Sequence, residues 1–169
     1  MNVLAPTPTL APLDRLAVGL ATLGVIGRRA PVAPGTLGSL AALPLCALLW
    51  GLPLWGQGML VAAAYVLGVW ASGRAARVLG EADPAAVVID EVAGMLFITL
   101  FMPVSLDGLL VGFFLFRLFD ILKPWPVSWL ERRLPGGWGI MTDDMAAALL
   151  GGLVLQGLLR LVPALPGMA

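Results

Sequence analysis

Five carboxylates set the chemistry open to this sequence. Asp90 and Glu91 stand in VVIDEVAGM, Asp120 in FRLFDILKPWP, and Asp143 and Asp144 in GIMTDDMAA, each inside or beside a long apolar run. An acid at the centre of a membrane segment costs roughly 2.5 to 3.5 kcal/mol on insertion scales and less near an end. Five such acids call for one shared hydrated or metal-filled site. The chain contains no histidine, which removes imidazole as base, nucleophile or ligand. Its one cysteine, Cys46, lies in apolar PLCALLW; it reads as packing and excludes a disulfide within the chain. Oxygen ligands alone suit a hard cation, magnesium above all, and magnesium suggests phosphate.

Three further features suit an anion. PGTLGS opens one apolar run, with Thr36 and Ser39, and GGWGIMTDD leads into another, with Gly137 and Gly139. Glycine-rich turns at helix starts present free N–H groups to a phosphate. Arg117 and Lys123 flank Asp120 on adjacent turns, where they can neutralise a phosphomonoester carrying about 1.5 to 2 negative charges. Each feature has a plainer alternative: Thr36 as a cap with Gly38 for packing, GGWG as a turn, Arg117 and Lys123 as interfacial anchors or partners of Asp120. Glu131 with Arg132 and Arg133 reads as a solvated loop, Asp83 as a turn residue before Pro84, and Trp125, Trp129 and Trp138 as an interfacial belt. Neighbouring helical residues diverge by about 100°, so Asp90 and Glu91 are not expected to point inward together, nor are Asp143 and Asp144.

Apolar helices must position these groups. Of 169 residues 60% are hydrophobic and 12% charged, against about 25% charged in soluble domains. The reading is a single all-α domain over 1–169, a polytopic membrane helix bundle with about five transmembrane helices near 36–55, 58–78, 86–102, 106–122 and 143–162. A short interfacial helix is expected over 11–24, with Leu13, Leu16, Leu20 and Leu23 opposed to Asp14 and Arg15. Residues 1–10 are expected to be flexible, and MNVLAPTPTL lacks the marks of a cleaved leader. With a cytoplasmic N-terminus every basic residue except Arg160 falls on the inner side, and so do the five acids. The absence of a basic run argues against a nucleic-acid partner.

Four ordered motifs, PGTLGSLAALPL, VVIDEVAGM, FRLFDILKPWP and GGWGIMTDDMAAA, resemble those of the phosphatidylglycerophosphatase A family of bacterial inner-membrane lipid phosphatases, over nearly all of 24–152. The resemblance implies hydrolysis of phosphatidylglycerophosphate to phosphatidylglycerol, dependent on magnesium, with the bilayer as partner and the active site on the cytoplasmic side. It implies catalytic roles for Asp90, Glu91, Asp120, Asp143 and Asp144, with Asp90, Glu91, Asp120 and Asp144 as metal ligands. Thr36, Ser39, Arg117 and Lys123 match the family's hydroxyl and cationic positions, while Thr142 departs from the apolar residue expected there. Water, a carboxylate, or the hydroxyl of Thr36 or Ser39 stay open as nucleophile, with water favoured. The alternative class is a small divalent-cation transporter using the same acids. Against it, the acids gather at one end of the spans.

Overall fold

The computed structural model of the protein describes residues 10–29 and 33–161. The expected flexibility of residues 1–10 lies outside them, Leu10 apart, as does Val162 at the end of the last expected span. Among the described residues all regular structure is helical: α1 (Pro12–Ala21), α2 (Ile26–Arg29), α3 (Pro34–Leu49), α4 (Leu54–Leu79), α5 (Ile89–Ile98) continued by a 3-10 turn (Thr99–Phe101), α6 (Leu106–Leu122), α7 (Val127–Arg133) and α8 (Gly137–Leu161).

Five helices stand where five spans are expected, with different lengths. α4 at 26 residues and α8 at 25 are the two that are long and apolar enough to cross a membrane. α6 has 17 residues, α3 has 16 and α5 only 10, below the roughly 20 a bilayer asks of a lone helix. Length and composition therefore support two crossings, and the five-span expectation is not met on that criterion. α8 also begins at Gly137, because GWGIMT is helical rather than a loop. α6 keeps its expected bounds: Ser105 Oγ accepts the Gly108 N–H at 3.0 Å at one end, and Pro124 follows the cap at the other.

α8 is the hub, packed against α4, α5, α6 and α7, while α3 covers α5 and α1 covers α4. α5 is enclosed: Ile89, Asp90, Val92 to Leu96 and Ile98 are all buried. Small residues make such closeness possible where lipid offers no hydrophobic drive between helices. A Cβ on Gly94 would stand 2.6 Å from the Phe116 ring, so glycine lets α5 and α6 meet there. Cys46 is fully buried and donates to Met95 O at 3.5 Å, the packing role expected of it. Outward, Leu48, Leu54, Trp55, Val66 and Phe114 are exposed, an apolar surface suited to lipid.

α1 stands where the short N-terminal helix is expected. Ala17, Val18 and Ala21 are its buried face, whereas Leu13 and Leu16 point outward. Asp14 meets Arg74 of α4 at 2.9 Å. At its far end the Ala21 carbonyl accepts the Val88 N–H at 2.8 Å, just before α5. α1 thereby holds the segment that leads into the acidic helix.

Candidate active site

The first turn of α5, the last turn of α6, the second turn of α8 and the start of α3 converge at one end of the bundle. They enclose a cavity of about 180 Å³ lined by Pro34, Asp83, Pro84, Ala85, Val87, Asp90, Glu91, Asp120, Lys123, Asp143 and Asp144. All five expected acids are on its wall. Asp90, Asp143 and Asp144 are buried, and Glu91 and Asp120 nearly so.

Asp90, Glu91 and Asp144 each bring a carboxylate oxygen within 4.8 Å of the others. Both members of the Asp90–Glu91 pair thus reach one point, contrary to the expected divergence. They occupy the open end of a helix, where side chains lean toward the N-terminus and the longer glutamate reaches around; the helix dipole favours anions there too. Asp143 and Asp144 do divide. Asp144 joins the trio, while Asp143 Oδ2 accepts from Lys123 Nζ at 2.7 Å.

The cations are each shared between two acids. Arg117 pairs with Asp120 one turn along α6 and lies 3.8 Å from Glu91. Asp120 is therefore on the cavity wall but outside the trio, held by Arg117. Lys123 donates to Asp143 and, at 2.8 Å, to Glu131 Oε1. Burial alone would pull the Lys123 ammonium down, but its hydrogen bonds to Asp143 and Glu131 hold it above the ordinary lysine range.

Four buried carboxylate oxygens, Asp90 Oδ1, Glu91 Oε2, Asp143 Oδ1 and Asp144 Oδ2, have no hydrogen-bond partner. An unmet buried acceptor costs about 1 to 3 kcal/mol, more when charged. A hard cation meets that demand, and the cavity is ample for one with several waters. Gly35 supports the arrangement, since any Cβ there would overlap Glu91 Oε1 and stand 3.2 Å from an Arg117 nitrogen. The start of α3 can come this close only as glycine.

The remaining expected residues lie off the wall. Thr36 is half-buried in the first turn of α3 and does not cap it, the cap being Ala33. Ser39 is fully buried and donates its hydroxyl hydrogen to Gly35 O at 3.0 Å. A Cβ on Gly137 would overlap Val69 O, and one on Gly139 would approach Leu134 O at 2.5 Å. These two glycines bring α8 against α4 and the end of α7, a packing role. Thr142, the departure from pattern, pairs with Tyr65 Oη at 2.7 Å.

Two acids escaped the sequence reading. Asp83 lines the cavity, and Glu131 sits in a helix and holds Lys123, where a turn and a solvated loop were expected. Asp83 had a usable signal, an acid on the acidic side shortly before the Asp90 motif. Glu131 had none beyond its charge.

The fold and the site together define a membrane-associated protein, helical throughout the described residues, with an acidic cavity at one end whose carboxylates could hold a metal ion. The family profile described as phosphatidylglycerophosphatase A matches residues 19–159, and the chain belongs to that family, a family of phosphatases. It is 36% identical to phosphatidylglycerophosphatase A of Escherichia coli K12 over 126 residues, 74% of this chain and 73% of the relative. Identity to the Haemophilus influenzae protein of the same name is 35% over 158 residues, covering 91% of this chain and 93% of the relative. A Bacteroides thetaiotaomicron protein provisionally named phosphatidylinositol-3-phosphatase is 36% identical over 133 residues, 74% of this chain and 82% of that one. No solved structure matches the chain. The transporter alternative finds no support in these relatives.

Proposed function

We propose that the protein is a magnesium-dependent phosphatase of the bacterial inner membrane that converts phosphatidylglycerophosphate to phosphatidylglycerol and phosphate. The observation that carries this reading is the trio of Asp90, Glu91 and Asp144, whose oxygens approach within 4.8 Å while others of the same groups lack partners. Family membership supports the substrate. Magnesium, when bound, supplies concentrated positive charge for the phosphoryl oxygens and for the attacking water.

The chain's own groups do the rest. Asp90, Glu91 and Asp144 hold the cation, and Asp120, fixed by Arg117, orients the water. Lys123, also on the cavity wall, offers its ammonium to the phosphoryl group. Water attacks phosphorus in line, its oxygen joins the phosphate as it gives up one proton, and the bond to the glycerol oxygen breaks as that oxygen takes up one proton, so the net transfer is of a single proton from water to the leaving alcohol. Preorganised charge of this kind dominates phosphoryl transfer. Thr36, Ser39, Gly137 and Gly139 have no direct part in this scheme.

The same reading places five helices across the bilayer with the cavity at the cytoplasmic face. Enclosure of α5 by its neighbours supports this despite its length, because a helix out of lipid contact need not match the bilayer. Exposed Trp125, Trp129 and Trp138 near the cavity end suit an interfacial belt.

The deciding experiment is phosphate release by the purified chain in detergent, with phosphatidylglycerophosphate and phosphatidylinositol 3-phosphate compared, each with magnesium and with chelator. Magnesium-dependent release from the first, at least tenfold faster than from the second, is expected. Equal or reversed preference would reject the substrate, and full activity in chelator would reject the cation.

A further inference from the structure

Glu131 reaches the cavity only through Lys123. Lys123 is on the cavity wall, whereas Glu131 lines a neighbouring hollow of about 360 Å³ with Arg132 and Gly139. The ammonium donates to Glu131 Oε1 at 2.8 Å and to Asp143 Oδ2 at 2.7 Å. It has three N–H bonds in tetrahedral directions, so fixing two fixes the third. The backbone is set as well: Lys123 caps α6 in the left-handed region at φ 42°, which a residue with a Cβ rarely adopts. Lys123 is also the one lysine in the chain, the other nine basic residues being arginine. A planar guanidinium cannot send three donors from one nitrogen toward three separate partners.

We infer that Glu131 is a positioning residue: acting through Lys123, it aims the third ammonium N–H into the cavity, where a phosphoryl oxygen accepts it. The inference rests on the phosphatase reading above. Without Glu131 the ammonium has Asp143 alone, whose second oxygen, Oδ1, is buried without a partner and draws it off the phosphoryl group. A merely superficial ion pair would contribute little to stability and nothing to rate.

The test uses the full chain in detergent with magnesium, comparing Glu131→Ala, Glu131→Gln, Lys123→Met and the double variant Glu131→Ala with Lys123→Met. Glu131→Ala is expected to lower kcat for phosphate release from phosphatidylglycerophosphate about tenfold with KM within twofold, and Glu131→Gln, which keeps an oxygen acceptor, to recover most of it. In the Lys123→Met background the Glu131→Ala change should cost less than twofold, the non-additivity of groups that act as a unit. An unchanged kcat in Glu131→Ala, or additive losses, would overturn the inference. A second readout needs no turnover. An amine-acylating reagent followed by peptide mass mapping reports Lys123 as the one lysine, and Glu131→Ala should raise its acylation rate at least threefold. Equal rates would overturn the positioning whatever the substrate. Wild-type protein that releases no phosphate yet shows Glu131-dependent acylation would reject the phosphatase reading and leave the positioning intact.

Discussion

Gly35 and Glu91 touch so closely that a methyl group on the glycine would occupy the place of a carboxylate oxygen. The glycine of PGTLGS therefore acts on the chemistry through space rather than through its N–H. Gly35→Ala should displace Glu91 and lower phosphate release about tenfold or more at saturating magnesium, while Gly58→Ala, with nothing within 4 Å, should stay within twofold. Wild-type activity in Gly35→Ala would show that Glu91 has slack the structure does not display.

Crowded carboxylates make activity and stability oppose each other. Asp144→Asn and Asp90→Asn should each reduce turnover by about two to three orders of magnitude. In chelator both variants should melt higher than wild type, by about 4 °C or more, because one of three crowded carboxyl groups is gone. Magnesium at about 100 times its Kd should stabilise wild type by about 2.7 kcal/mol and the variants by less. Thermal scans with and without magnesium decide this; a lower melting point for both variants in chelator would mean the acids are satisfied without a cation.

Asp83 and Asp107 separate two kinds of loop acid. Asp83 lines the cavity and Asp107 is exposed in the first turn of α6, the end away from Lys123. Asp83→Asn should lower kcat/KM about three- to tenfold and Asp107→Asn by less than twofold. Equal effects would remove Asp83 from the site.

Membrane orientation is open to single-cysteine labelling in a Cys46→Ser background, where serine can keep the bond to Met95 O. Cysteines near Gly80 and Glu131 should label from the cytoplasmic side, and those near Gly56 and Ser105 from the outside. The reverse pattern would put the cavity on the wrong face for the proposed reaction.

Stereochemistry tests the nucleophile. A single in-line attack by water inverts a chirally labelled phosphate, and a phospho-enzyme retains it. Inversion is expected. Ser39 is a poor rival nucleophile because its hydroxyl is fully buried and spent on Gly35 O, so retention would point to Thr36 or to a carboxylate such as Asp90.

Sequence patterns revealed most where a residue's role depended on its own type. Apolar runs located five helices, α6 to the residue, and the acids on them were rightly expected to meet. What stayed hidden depended on neighbours. α5 is shorter than its apolar run and is enclosed by other helices, which its own composition cannot express. α7 is a seven-residue helix whose WLERR carries no period long enough to read, so Glu131 looked like surface charge. Gly137 and Gly139 resemble an anion turn in sequence but face backbone carbonyls in space. Arg117 and Lys123 were legible as cations, though not as groups already held by two acids each.

The hydrogen bond from Val88 to Ala21 changes what the leading helix is for. A short amphipathic segment ahead of a membrane domain invites treatment as an address label, to be trimmed or replaced by a fusion partner at will. Here that segment is the hinge-post of a doorway: the loop bearing Asp83 hangs from it, and the acidic helix begins one residue past its point of attachment. An exchange of 12–21 for a foreign helix must reproduce one carbonyl at one place or let the acids drift apart.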